Sequence, residues 1–358
     1  MQWFIVPDLD GSISGGTLYN RLLIAALKQA DCPCEWLPMD QAAAALATAG
    51  GTDHYWVDSL YLDQWPELAR AARPGTRLGL IVHYLPSLVS HGEGIGAGDL
   101  TPAEAVALAT GTMFLVTSPF MQGILHRLMG PVRPVLQVEP GRPLPSSSLL
   151  PSPPVRAVLV ANLVEGKGVD RFLVSLAEQV RESDGLHISI VGGDKHDSGY
   201  AERCRGIARN PRLGSRVRFL GEQSHEQTLR VMAASNVVVS CSQMESYGMA
   251  LMEARVLAVP ILAQAGGHVA ALVGLDSGGE LFENTAELVG KLMFICRDPE
   301  EHRRRMALAR ARALPARPWS EAALEFVSQV ERLDKSGARG QGEVTHPIGL
   351  PEGLHGVG

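Results

Sequence analysis

Val237-Val238-Val239-Ser240-Cys241-Ser242-Gln243-Met244-Glu245-Ser246-Tyr247-Gly248-Met249-Ala250-Leu251-Met252-Glu253 is the stretch that sets the architecture. It opens on a short continuous apolar run, which reads as a strand buried on both faces of a parallel sheet. A polar loop follows, then a helix that the pattern starts near Tyr247. Two carboxylates, Glu245 and Glu253, stand eight residues apart, one at the helix mouth and one about two turns in. At the mouth, backbone N–H groups point outward beside Glu245. Carboxylates at these places suit a polyhydroxylated ligand, because charge-assisted hydrogen bonds to hydroxyls are the stronger kind. Gly248 allows close approach to the backbone. The plain alternative is that Glu245 complements the helix dipole and Glu253 is a solvated helix residue. The apolar neighbours Leu251, Met252, Ala254 and Val256 make Glu253 an odd surface charge.

The same alternation runs outward in both directions. Trp3–Val6, Leu78–Val82, Met113–Val116 and Pro134–Val138 read as strands in the first half. Val158–Ala161, Ile188–Val191, Val217–Leu220, Val237–Ser240 and Pro260–Ala263 do so in the second. Helix-period segments lie between them: Thr17–Gln29, Pro102–Ala109, Phe120–Leu128, Asp170–Glu182, Glu226–Ala234 and Leu251–Leu257. Strand–helix alternation of this kind predicts parallel sheets with crossover helices. Between the halves, Gly141 to Pro154 reads GRPLPSSSLLPSPP, which fits neither element. The expected division is therefore α/β: a doubly wound domain over 1–142, a Pro/Ser linker over 143–154, and a second doubly wound domain over 155–316. An amphipathic helix over 317–334 and a disordered polar tail over 335–358 follow.

Bulk composition narrows the function. The chain has 358 residues, 46% of them hydrophobic, enough for two cores. Its net charge is −6 and its pI about 6.0. Residues 1–150 hold 8 Arg and Lys against 13 Asp and Glu, and the remainder 24 against 25. No basic face for nucleic acid is expected. No apolar run reaches the ~20 residues of a membrane span, and the opening residues do not read as a signal peptide. Five scattered cysteines point to a reducing cytoplasmic setting rather than a disulfide framework. Cys32 and Cys34 form a C-x-C pair without the second pair a zinc site needs, so no metal site is expected.

Further motifs gather at strand ends. Val160 to Asp170 reads VANLVEGKGVD, in which a strand gives way to a loop with Gly166 and Gly168 and then a helix. Lys167, one of only five lysines, stands just before that helix. It either neutralises a diphosphate with help from loop amides or is a solvated loop residue. Gly15 and Gly16 open the first helix and can bring amides to a phosphate, although the full G-x-G-x-x-G spacing is lacking. Gly193 lies in a strand-end turn. His83 ends its strand at the carboxyl edge, where doubly wound folds bind ligands. Gly266, Gly267 and His268 follow another strand and could supply backbone donors.

The order and spacing of these residues resemble the GT-B retaining glycosyltransferases of family 4, most clearly over Val158 to Phe282. The resemblance implies two Rossmann-like domains with a C-terminal helix crossing back onto the first. It makes Glu245 the carboxylate against the donor sugar and Glu253 the one on the nucleotide ribose, with Tyr247, Gly248 and Met249 between them in the donor site. Lys167 matches the family's phosphate-binding lysine, and Gly15 and Gly16 its diphosphate-approaching glycines. Gly193 and Leu220 fall on donor-site segments, Leu220 on the strand whose backbone meets the base. His83 sits where the family often has a histidine near the reacting sugar. Three positions depart from the pattern. Asn162 stands where an arginine would pair with Lys167, Ala270 where many members carry glutamate, and Val256-Leu257-Ala258 where a glycine is usual.

The resemblance further implies a retaining, metal-independent transfer from a UDP- or GDP-type sugar nucleotide, the donor being a co-substrate and no cofactor being required. In that mechanism Lys167, Glu245 and His83 are the residues nearest the chemistry. Relatives that reach lipid acceptors use a basic patch on the first domain. The acidic first half here favours a soluble acceptor instead. Two alternatives remain beside this reading: a catalytically weak GT-B binding or partner module, which Asn162 and Ala270 favour, and a sugar-nucleotide epimerase. A nucleotide-dependent oxidoreductase is disfavoured by the incomplete glycine fingerprint.

Overall fold

A computed structural model describes residues 1–11, 13–131, 133–144 and 154–337. Two six-stranded, all-parallel sheets form two layered α/β units. The first contains β1 (Gln2–Ile5), β2 (Cys34–Trp36), β3 (His54–Asp58), β4 (Arg77–Ile81), β5 (Met113–Val116) and β6 (Val135–Gln137), in the order β2-β1-β3-β4-β5-β6. The second contains β7 (Val155–Val160), β8 (Leu186–Val191), β9 (Val217–Gly221), β10 (Val237–Ser240), β11 (Ile261–Gln264) and β12 (Glu280–Phe282), in the order β12-β11-β10-β7-β8-β9.

Both faces of each sheet are buried, which explains the continuous apolar strands. Successive side chains point to opposite faces. Ile5, Val57 and Leu80 join one core of the first domain, and Phe4, Trp56 and Ile81 the other. In the second domain Leu159, Val239 and Leu262 face one way while Val158, Val238 and Ile261 face the other.

Three strands escape the apolar-run reading. β2 and β12 are only three residues long. β3 is buried along its whole length, but His54 and Asp58 bracket its apolar centre and interrupt the pattern. Among the helices, Met39–Ala47, Trp65–Ala71, Ser198–Ala208, Thr285–Arg297 and Pro299–Ala311 were not predicted. The last has a charged surface, including Arg303, Arg304 and Arg310, and an amphipathic stripe too weak to read.

The closing helix runs Trp319–Gly337. It packs on the first domain, with Phe326 against Phe4 (ring centroids 5.9 Å apart) and Trp56 (5.4 Å). Gln329 exchanges hydrogen bonds with the Gln137 backbone, and Arg77 pairs with Asp334. The helix thus runs three residues past the expected boundary at 334. Most of the expected linker (145–153) and of the expected tail (338–358) lies outside the described residues.

Topology places the ligand crevice. In open doubly wound sheets it lies outside the carboxyl ends of the strands where the strand order reverses. That point falls between β1 and β3 in one domain and between β7 and β10 in the other. The loops after these strands carry Gly15–Gly16, Asp58–Leu60, Lys167 and Glu245, and they face one another across the domain boundary.

Candidate functional site

A cleft of about 330 Å³ opens between the domains. The loops after β7 and β10 are tied together beneath it. Gln243 N donates to Gly166 O at 3.0 Å. Gly168 has φ +64°, and a β-carbon there would lie 2.5 Å from the Cys241 carbonyl oxygen, so both conformation and space require glycine. This pinning brings Lys167 Nζ to 2.6 Å from Glu245 Oε1. Glu245 is fixed by its backbone as well, through a bridge to Gly267 and a 2.8 Å hydrogen bond from His268 N to its carbonyl. The Gly266–His268 loop therefore buttresses Glu245, and the His268 ring stacks on Tyr247 with centroids 5.5 Å apart.

The helix behind Glu245 begins at Met249, two residues later than the pattern suggested. Gly248, at φ +83°, turns the chain left-handed just before it, which delays the helical turn. Four residues on, Glu253 is 4% exposed. It is the partner of His225, whose Nε2 lies 2.7 Å from Glu253 Oε1. Its apolar neighbours mark a buried charge that has a partner, as such charges require.

On the first-domain side, helix Gly15–Gln29 is opened by Ser14, whose hydroxyl accepts from Thr17 N. First-turn N–H groups have no intrahelical acceptor, and Gly15 and Gly16 line the cleft. A β-carbon on Gly15 would stand 3.5 Å from Met249 Cγ. Two helix N-termini, one per domain, thus meet across the cleft beside Lys167, and each carries partial positive charge.

His83 follows β4 and packs against Gly16, where a β-carbon would come within 3.0 Å of the imidazole. Its Nε2 lies 2.8 Å from Asn20 Oδ1. Asn20 Nδ2 in turn donates to Asp58 Oδ2 at 2.5 Å. Asp58 is fully buried and Asn20 is 1% exposed. A carboxylate only accepts, so it fixes the Asn20 amide with its oxygen toward His83. His83 must then carry its proton on Nε2, an assignment made by the hydrogen-bond network. Nδ1 is left as an acceptor. Burial holds the imidazole below the ordinary histidine range, against the opposing pull of Asp58.

Asn162 does not offer its side chain to the cleft as a free group. Its Nδ2 donates to Ile13 O at 3.0 Å and its Oδ1 accepts from Gly193 N at 2.9 Å. Glu222 Oε1 accepts from Ile13 N at 2.7 Å. One backbone unit of the first domain is thereby clamped by two side chains of the second. Ser118 Oγ to Ser246 O (2.6 Å) and Gly267 N to Glu93 Oε1 (2.8 Å) also cross the boundary.

Of the residues singled out in the sequence, Gly15, Gly16, His83, Asn162, Lys167, Glu245, Tyr247, Gly248, Met249 and Glu253 line this one cleft. Gly193 and Leu220 stand back from it. Gly193 supports Asn162, and the segment just past Leu220 reaches the cleft instead through Glu222 and Gln223. Sequence reading missed Asn20, Asp58, Glu222 and His225. Asn20 carried the one available signal, a polar residue on the apolar face of its helix. Among the described residues, no three His, Cys, Asp or Glu side chains cluster as metal ligands, and no helix is long and apolar enough to cross a membrane.

Comparison with known proteins shows what the chain resembles in sequence and in fold. A model of the glycosyl transferases group 1 family matches residues 144–312. D-inositol 3-phosphate glycosyltransferases are similar: that of Corynebacterium diphtheriae is 30% identical over 122 residues, 33% of this chain and 29% of the relative. That of Mycobacteroides abscessus is 30% identical over 129 residues, 34% of this chain and 28% of the relative. The matched segment thus spans under a third of these relatives' length. Among solved structures, the sucrose-phosphate synthase of Thermosynechococcus elongatus superposes with a TM-score of 0.74 at 19% identity, covering 94% of this chain and 99% of the other. HepE of Anabaena in complex with UDP-glucose gives 0.67 at 17% identity, covering 94% and 100%. Residues 144–312 thus resemble the glycosyl transferases group 1 family, and the two domains together form a GT-B fold.

Proposed function

We propose that this chain is a retaining glycosyltransferase that moves a sugar from a nucleoside diphosphate sugar to a hydroxyl of a soluble acceptor, without a metal ion. The observation that carries the reading is the meeting of Lys167 with two helix N-termini, at Gly15 and Met249, beside the Glu245 and Glu253 carboxylates. An ammonium and two sets of orphan amides form a locus for a diphosphate. Glu245 and Glu253 suit the hydroxyls of the sugar and the ribose on either side of it. The UDP-glucose bound by HepE, which shares the fold, favours a UDP-type donor.

In this reading the protein's work is electrostatic and positional. The leaving diphosphate gains negative charge as the glycosidic bond breaks, and Lys167 with the helix-end amides offsets it in a preorganised setting. The acceptor attacks from the face the diphosphate leaves, which preserves configuration. His83, neutral and with Nδ1 as an acceptor, is placed to take a hydrogen bond from a sugar or acceptor hydroxyl. The cleft between domains holds both substrates in register and limits water.

The test is an incubation with UDP-, GDP- and ADP-sugars plus a panel of soluble acceptors, with and without EDTA, followed by NMR of the product's anomeric proton. Transfer with retained configuration in EDTA is expected. Inverted product, or a strict need for added metal, contradicts the mechanism. Nucleotide binding with neither hydrolysis nor transfer would support a binding module instead.

A further inference from the structure

The first-domain wall of the cleft also carries an apolar patch, apart from the Gly15–Gly16 amides proposed for the diphosphate. Ser59 Oγ accepts from both His83 N (3.1 Å) and Tyr84 N (3.2 Å). This ties the loop after β3 to the loop after β4 and sets Leu60 and Tyr84 side by side next to His83. Leu60 is 57% exposed and Tyr84 43% exposed, which places them among the few large apolar side chains left open to solvent. Leu85, Leu88 and Val89 continue the same wall behind them. The ionisable first-domain side chains that line the cleft are His83, Asp58, and the Tyr19 and Tyr84 phenols, the first phenol donating to Val138 O. Asp58 already has Asn20 Nδ2 and Leu60 N as donors.

Resting on the glycosyl-transfer reading above, the geometry points to an acceptor that is uncharged and carries its hydroxyl beside an apolar face, laid on Leu60 and Tyr84. Open apolar surface beside a polar group is the usual composition of a small-molecule subsite, the apolar part binding and the polar part orienting. Tyr84 offers a ring on which an aryl group or the apolar face of a sugar can stack. Among the described residues this wall lines the cleft with no ammonium or guanidinium, so a phosphate on the acceptor would lose its hydration there without a cation to offset the loss, which disfavours charge of that sign. The acceptor class therefore differs from the inositol phosphate named for the similar corynebacterial enzymes. An apolar face of this kind belongs either to a free aglycone or to a lipid-linked sugar, and the experiment separates the two.

The full chain is titrated by calorimetry with glucose, glucose 6-phosphate, phenyl β-glucoside and dodecyl β-glucoside below its micellar concentration, in the presence of the tightest-binding nucleotide. The same compounds are then offered as acceptors with its sugar nucleotide. Phenyl glucoside is expected to bind about tenfold more tightly than glucose, which corresponds to stacking one ring. Glucose 6-phosphate is expected to bind more weakly than glucose. Tyr84→Ser should bring phenyl glucoside and glucose together, and Leu60→Arg should invert the order of glucose and its phosphate. A dodecyl chain far ahead of the phenyl group identifies a lipid source of the same chemistry. Tighter binding of glucose 6-phosphate than of phenyl glucoside overturns the inference while leaving donor binding and transfer standing. Preferred binding of phenyl glucoside with no transfer supports the subsite and instead sinks the catalytic reading.

Discussion

The Lys167 ammonium lies 2.6 Å from Glu245 Oε1, so the cation proposed for the diphosphate and the carboxylate proposed for the sugar are each other's partner. The two reach this distance because the loops after β7 and β10 are tied at Gly166 and Gln243. One consequence is electrostatic balance. Glu253 has His225 as its partner and Glu222 has Lys195, and Lys167 is the cation in the cleft lining that pairs with Glu245.

Lys167→Ala should therefore reduce kcat about a hundredfold, the size of effect that loss of one preorganised charge at a developing anion produces. KM for the sugar nucleotide should rise less, because the charge on the diphosphate grows on the way to the transition state. Steady-state nucleotide release measures both constants. Unchanged turnover would remove Lys167 from the reaction.

Asn162→Arg introduces the missing cation and breaks two hydrogen bonds at once, to Ile13 O and from Gly193 N. A new charge-assisted bond contributes about 1.5–3 kcal/mol, and two lost neutral ones cost about 0.5–1.5 kcal/mol each. The terms nearly cancel. Nucleoside diphosphate affinity should thus change by less than about tenfold, while its dependence on salt becomes steeper. Hundredfold tightening would mean that the clamp on Ile13 contributes nothing.

Asp58→Asn should act through Asn20 on His83. The new amide can donate to Asn20 Oδ1, turn the Asn20 nitrogen toward His83, and so move the imidazole proton to Nδ1. A fall in kcat with KM for the donor largely kept is expected, together with a shift of the acidic limb of the pH profile to still lower pH, since Asp58 pulls the His83 pKa upward. A variant with wild-type kcat and an unmoved profile would dismiss the relay.

Acidification should also destabilise the fold. Burial lowers the pKa of His83, and likewise those of His54, His268 and His302. An unfolded chain binds protons at about 6.5 that these folded imidazoles decline, so the unfolded state holds more protons and stability rises with pH through that window. The Tm should be flat above it and fall as pH drops below it. A Tm that rises on acidification between pH 7 and 5 contradicts the assignment.

The closing helix is a structural part of the first domain. Phe326 is fully buried between Phe4 and Trp56. Phe326→Ala should cost about 3–5 kcal/mol, visible as a drop of about 10 °C in the first thermal transition. Loss of much less would mean that the helix is only loosely docked.

The sequence made some of this legible and hid the rest for identifiable reasons. Glu245, Glu253 and Lys167 lie on short strand–loop–helix segments whose local pattern carries their position. Glu253 was marked further by the apolar residues around it. The Asn20–Asp58–His83 relay could not be read, because its members are 38 and 63 residues apart and meet only through the sheet order. Asp58 ends a strand whose polar ends masked it. The Glu222 contact to Ile13 spans 209 residues and two domains. Asn162 was legible as a departure from the expected arginine, but its role in bridging domains appears only once Ile13 and Gly193 are in place.

The most direct test of the account is equilibrium binding of UDP, GDP and ADP to the full chain by calorimetry in EDTA, repeated with Lys167→Ala and Glu253→Ala. The account predicts saturable one-to-one binding of one nucleotide, insensitive to EDTA and weakened about tenfold or more in each variant, as expected when a charged partner is lost. No binding of any nucleoside diphosphate, or binding indifferent to both substitutions, would contradict a donor site in this cleft.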